Sequence, residues 1–193
     1  MKRLFLVLSL VFAPMAPVFA AAASTPNNYD VEVIVFQNQM PELEGGEIWR
    51  NNPQQPASPD MDQAVAIGEP PSADAFLSPA AAALEKSGRH HVLVHLHWQQ
   101  AAEAKSVSKP VKISGPDGLL DGTLRFYLSR YLLVDLNLAL KEAPSAGLFG
   151  VTGDTTPVVY HLNEYRRVRL LETHYFDHPK FGALVRVSPI KTN

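Results

Sequence analysis

From Leu124 to Leu140 every even position but one is apolar: Leu124, Phe126, Leu128, Leu132, Val134, Leu136, Leu138 and Leu140, with Arg130 as the exception. The odd positions offer Thr123, Arg125, Tyr127, Ser129, Tyr131, Asp135 and Asn137. A helix would scatter either set around its circumference, whereas alternate residues of a strand share a face. Residues 121–140 therefore demand sheet, with one face in a core and the other toward water. Arg130, on the apolar side of that alternation, requires a bulge or a buried ion pair.

Other segments fit around this sheet. Residues 29–37, YDVEVIVFQ, alternate Val31, Val33 and Val35 with Asp30, Glu32, Ile34 and Phe36, and predict a largely buried strand. From Met40 to Phe76 six prolines and several glycines interrupt any period, so this is an extended loop, which Trp49 is expected to pin to the core. Residues 77–88, LSPAAAALEKSG, predict a short helix, with Ser78 as its N-cap, Pro79 in its first turn and Gly88 as the left-handed residue beyond its end. His90–Gln100 follows as a strand with Val92, Val94, Leu96 and Trp98 on one face. Val111–Ser114 makes a short strand before the turn Gly115-Pro-Asp-Gly118, and 147–157 is a loop. Strands over 158–171 and 181–187 flank ETHYFDHP at 172–179. In that stretch Glu172, His174 and Phe176 alternate with Thr173, Tyr175 and Asp177, Pro179 holds His178 extended, and Asp177 with Gly182 supplies turn chemistry, so it predicts a hairpin corner. One strand, one helix and then several strands in succession predict an α+β fold, mainly antiparallel sheet with one or two helices packed on one face. A single domain over 29–190 is expected.

The chain begins with Lys2 and Arg3, an apolar run from Leu4 to Ala13, then prolines and small residues ending at Val18-Phe-Ala20. This pattern predicts a secretory signal peptide over 1–20, with cleavage falling as late as 23. The run stops at Pro14, well short of the roughly 20 apolar residues of a membrane-spanning helix, so no span is expected after cleavage. The remaining chain would carry 15 basic against 19 acidic residues, which gives no footprint for nucleic acid or anionic lipid. There is no cysteine, hence neither a disulfide nor a lipid-bearing cysteine. A periplasmic protein is expected.

Several groupings could carry chemistry. His91, His95 and His97 alternate along one strand, and i, i+2 histidines on a strand can share a zinc or copper ion. With His174 and His178 they define an alternative reading, a periplasmic metal-binding protein or metal-dependent hydrolase. The competing reading is an ordinary solvent face. There is no G-x-S-x-G and no cysteine nucleophile, so no catalytic residue is assigned and no cofactor or metal is expected. Arg166, Arg167 and Arg169 could hold a carboxylate or phosphate, or simply pair with acidic neighbours across a sheet. Arg125, Tyr127 and Tyr131 form an aromatic and basic stripe on the wet face of 121–140. It could stack on sugar rings or receive a protein, or pack beneath the Pro-rich loop.

Residues 29–36 (YDVEVIVF) after a leader, Gly122-Thr-Leu-Arg with Arg130-Tyr-Leu, and Arg166-Arg-Val-Arg followed by 172–182 (ETHYFDHPKFG) together resemble the CsiV family. The resemblance spans most of the chain beyond the leader. It implies a non-enzymatic periplasmic protein that binds peptidoglycan and supports cell-wall synthesis, working through an outer-membrane lipoprotein activator of a bifunctional class A penicillin-binding protein. No catalytic residues come with it. Arg125, Tyr127 and Tyr131 are the expected peptidoglycan or partner contacts. A third possibility is a purely structural interaction domain without glycan affinity.

Overall fold

A computed structural model describes residues 28–39, 58–115, 117–142 and 158–190. The leader, Trp49 with most of the Pro-rich loop, and the 147–157 loop lie outside these residues. Eight strands and one α-helix follow in order: β1 (Asn28–Asn38), α1 (Ser78–Lys86), β2 (His90–Ala101), β3 (Val111–Ser114), β4 (Leu120–Leu128), β5 (Leu132–Glu142), β6 (Val158–Arg167), β7 (Thr173–His178) and β8 (Phe181–Pro189). The α+β expectation, mainly antiparallel with a helix on one face, holds, and the strands divide into two sheets. Sheet A has the order β2-β1-β8-β7 and sheet B the order β3-β4-β5-β6, with every neighbouring pair antiparallel.

The two sheets face each other across one core. Val31, Val33 and Val35 from β1, with Val185 and Val187 from β8, meet Leu124 and Phe126 of β4 and Val134, Leu136 and Leu138 of β5. Tyr29 lies edge-on to Phe126, with ring centroids 5.4 Å apart. The apolar even row of 124–140 is thus the inner face of sheet B. The row does not run on as one strand. It folds back at Ser129–Tyr131, where Leu128 pairs with Leu132 and the Ser129 N–H donates to the Tyr131 carbonyl at 3.0 Å. Arg130 sits at the exposed tip of this hairpin, so neither a bulge nor a buried ion pair is needed. At Gly122 an added Cβ would lie 2.2 Å from the Asn137 carbonyl oxygen, so only glycine lets β4 and β5 approach this closely.

The far face of sheet A carries α1. Leu77, Ala80, Ala81 and Leu84, at helical spacing, cover Ile34, Phe36, Val92 and Leu184. This explains why both alternating sets of β1 are apolar or buried. Val92 joins the helix side because a bulge in β2 opposite Val35/Phe36 shifts the register there, and Leu93 instead packs toward the core. The predicted Ser78 N-cap is replaced: Leu77 is the capping residue, without a side-chain bond of its own. Its N–H donates instead to the carboxylate of Glu32 at 3.0 Å, so an anion on β1 completes the helix N-terminus. Gly88, at φ 65°, ends the helix as expected.

The two sheets are joined at both sides. The segment 65–69 crosses from β3 to β2: Val65 bridges Val111, and Glu69 bridges His97. On the other side Arg166 of β6 donates to the Tyr175 carbonyl at 2.8 Å, and Lys180 reaches the Glu142 carboxylate at 3.3 Å. β6 ends at Arg167 rather than running on to 171, and most of ETHYFDHP, expected to be the corner itself, is a further strand, β7, that leads into the corner. Phe176 points into the core, and Pro179 and Lys180 form the turn between paired His178 and Phe181.

Candidate functional site

The outer face of sheet B is a grid of three rows set by the strand register. Across β4, β5 and β6 these read Thr123, Asn137, Asn163; then Arg125, Asp135, Tyr165; then Tyr127, Leu133, Arg167. Side chains two apart on a strand share a face, so nine residues from three segments form one surface.

Loop segments cover the β4 column. The Thr123 hydroxyl lies 2.6 Å from that of Ser58. Arg125 meets Asp60 at 3.0 Å and donates to the carbonyls of Lys105 and Ser108 at 3.0 and 2.9 Å. The Lys105 ammonium sits 5.2 Å from the Tyr127 ring centroid. Arg125 is 8% exposed and Tyr127 6%, so two members of the expected stripe lie beneath the loops and are not the open surface the sequence alternation implied. The reason is tertiary: 58–64 and 103–109 pack across β4, and alternation alone cannot report what lies over a polar row.

The β6 column stays open, and the β5 column beside it is half-buried. Tyr165 is 72% exposed, flanked by the exposed Asn163 and Arg167 two residues away on either side. Opposite it, the Asp135 carboxylate accepts from Lys105 at 2.9 Å and from the Asn137 side-chain amide at 3.0 Å, which fixes its orientation. That bond to Asp135 raises the Lys105 ammonium above its usual range. Tyr131, 41% exposed in the β4–β5 turn, has the Arg167 guanidinium 3.9 Å from its ring centroid and that of Arg130 at 5.6 Å. The surface thus combines open aromatic rings, side-chain amides, an oriented carboxylate and guanidinium groups. Rings of this kind stack on the apolar faces of sugars, the amides and Asp135 suit hydroxyl and acetamido groups, and guanidinium suits a carboxylate.

Tyr165 and Asn163 were missed from the sequence. The signal was present, since Asn163, Tyr165 and Arg167 alternate as Thr123, Arg125 and Tyr127 do, but β6 lacks the strong apolar counter-row that exposes such a face. The three arginines near its end separate. Arg166 turns to Glu164 and packs 4.6 Å from the Phe176 ring centroid, Arg167 faces outward, and Arg169 lies past the strand, 3.7 Å from Glu172.

The histidines are not gathered. The β2 bulge breaks the alternation between His91 and the pair His95 and His97. Each of the three meets a different carboxylate: His91 lies 3.2 Å from Glu85, His95 2.8 Å from Glu32, and His97 3.7 Å from Asp30. His174 contacts the main chain of Arg169, and His178 lies against Tyr160 and Phe181. Among the described residues no group of three or more histidines, aspartates or glutamates is placed to hold a metal ion.

A family model described as peptidoglycan-binding protein, CsiV, matches residues 3–190. The chain belongs to the CsiV family. No curated protein and no solved structure matches it. Among the described residues no helix is long and apolar enough to cross a membrane.

Proposed function

We propose that this CsiV-family chain is a non-enzymatic periplasmic protein, exported by a cleavable leader, that binds peptidoglycan through the open part of the sheet B face. The carrying observation is the family match over residues 3–190, under a description that names peptidoglycan binding. The chemistry of the face supports this location: Tyr165 and Tyr131 offer rings, Arg167 a guanidinium, and Asn163 and Asp135 polar partners. Of the expected contacts, Tyr131 touches the ligand directly, while Arg125 and Tyr127 support the sheet beneath the loops. The protein in turn supports cell-wall synthesis by contacting an outer-membrane lipoprotein activator of a class A penicillin-binding protein.

The test is co-sedimentation with purified sacculi. Wild-type protein is retained above an inert control, and the double substitution Tyr131→Ala with Tyr165→Ala lowers retention about tenfold, the equivalent of ~1.4 kcal/mol, with an unchanged melting temperature. Wild-type protein washing through with the control would sink the proposal. Co-purification of a lipoprotein that survives digestion of the wall tests the partner.

A further inference from the structure

The segment that joins the two sheets at 65–69 leaves a cleft behind it. At one end Val65 accepts from Lys112 at 2.8 Å and donates to Pro110 at 2.9 Å; at the other Glu69 exchanges bonds of 3.0 and 2.8 Å with His97. Ile67, between them, has its N–H and C=O bonded to neither sheet, and its side chain is exposed. Behind this span lies an open cleft of about 450 Å³, bounded by Val65 and Ile67, the end of β2 and the loop 103–109. Its size is that of a small-ligand site, for which ~300–1,000 Å³ is usual.

The floor of the cleft is already satisfied. Gln100 accepts from the Trp98 indole at 2.6 Å and donates to the Phe126 carbonyl at 3.0 Å, and Ser108 donates to the same carbonyl at 2.7 Å. What is left for a ligand is an apolar wall of Val65, Ile67 and Val107, the main chain of Ile67, and two rim charges of opposite sign, Glu103 and Lys109. Among the described residues no ring lines the cleft, and a sugar would find no stacking surface on them. Main-chain amides to pair with Ile67, short aliphatic side chains, and both an ammonium and a carboxylate are the features of a short peptide with free charged groups.

We infer that this cleft is a subsite for the short peptides of the wall, separate from the glycan face. The inference rests on the peptidoglycan reading and names the second half of that polymer. The loop 103–109 serves both places: Lys105 orients Asp135 on the sheet B face, while Glu103, Val107 and Lys109 line the cleft. A strand lying on the face and its attached peptide would therefore engage opposite sides of one loop.

Sacculi cut by an amidase at the glycan–peptide bond give peptides and peptide-free glycan strands, which are titrated separately into the purified protein by calorimetry. The peptides bind; Glu103→Lys and Lys109→Glu each weaken that binding about tenfold, as loss of one charged contact allows, and Ile67→Asp abolishes it. All three variants keep the wild-type melting temperature and glycan retention. Wild-type protein that binds glycan strands but not peptides overturns the cleft assignment and leaves wall binding standing. Peptide binding indifferent to all three substitutions also overturns it. Failure to bind glycan, peptide and intact sacculi alike removes the peptidoglycan reading itself.

Discussion

The Arg125 guanidinium lies 3.0 Å from the Asp60 carboxylate, and this contact holds the described part of the Pro-rich loop down on sheet B. Two carbonyl acceptors, from Lys105 and Ser108, also bind this almost fully enclosed side chain, while its buried Nε has no hydrogen-bond partner among the described residues. The pair closes the β4 side of the polar face and leaves the β6 side open.

Removing one member of this pair strands the other. Asp60→Ala leaves a buried cation short of its counter-charge and should cost about 1–3 kcal/mol, below the largest effects for fully buried pairs because Asp60 remains partly exposed. Arg125→Met with Asp60→Ala should recover part of that loss. Urea denaturation of the two single variants and the double variant measures the coupling, and strictly additive losses would contradict it.

Gly122 has no room for a side chain. A Cβ there would fall 2.2 Å from the Asn137 carbonyl oxygen and 2.8 Å from the Leu138 Cα, both main-chain atoms of the neighbouring strand. Gly122→Ala must part β4 from β5 and should cost about 3 kcal/mol or more, or prevent folding. A variant that melts with the wild type would disprove this close approach.

His178 gives the fold an acid sensitivity. Burial is the main cause that pushes its pKa from 6.5 down to about 4, with His161 and Lys180 adding to the fall and Asp177 opposing it. Between those two values the unfolded chain binds the extra proton and the folded one does not. The contribution is therefore fully present above about pH 6.5 and is lost as pH falls toward 4. Denaturant midpoints measured from pH 7.5 to 4 should decline across this window, and His178→Asn should flatten the decline.

Arg167 separates charge from stacking. Its guanidinium lies 3.9 Å from the Tyr131 ring centroid, and a lysine keeps the charge without the planar fork. If the wall is bound here, Arg167→Ala should lower sacculus retention several-fold and reduce its salt sensitivity, while Arg167→Lys should keep the salt sensitivity with weaker retention. Salt titrations of the pull-down distinguish these outcomes.

Much of this molecule was legible from local pattern. Leu124 to Leu140 fixed the inner face of sheet B, Val31, Val33 and Val35 that of sheet A, and Leu77 to Gly88 the helix. The corner that ends ETHYFDHP followed from Pro179, whereas Asp177 and Gly182, expected to supply the turn, pair with each other across β7 and β8. Each of these is a repeat or a backbone preference spanning a few neighbours, and such preferences act before distant segments meet. Where the long alternation turned was not legible. Ser129-Arg-Tyr131 carries no glycine or proline, and a hairpin preserves the parity that a continuous strand would show. The cap was also hidden, since the group that accepts from Leu77 is Glu32, on another element.

The candidate site divides along the same line. The sequence by itself determined that Arg125, Tyr127, Asp135 and Asn137 share a face, because alternation depends only on the geometry of one strand. Only the tertiary structure decided that Asp60, Ser58 and Lys105 cover the β4 column, that β6 brings Asn163, Tyr165 and Arg167 into register beside Asp135, and that a bulge at Leu93 separates His91 from His95 and His97. Register between strands and burial beneath a loop depend on contacts between residues far apart in the chain, and periodicity along one strand carries no record of them.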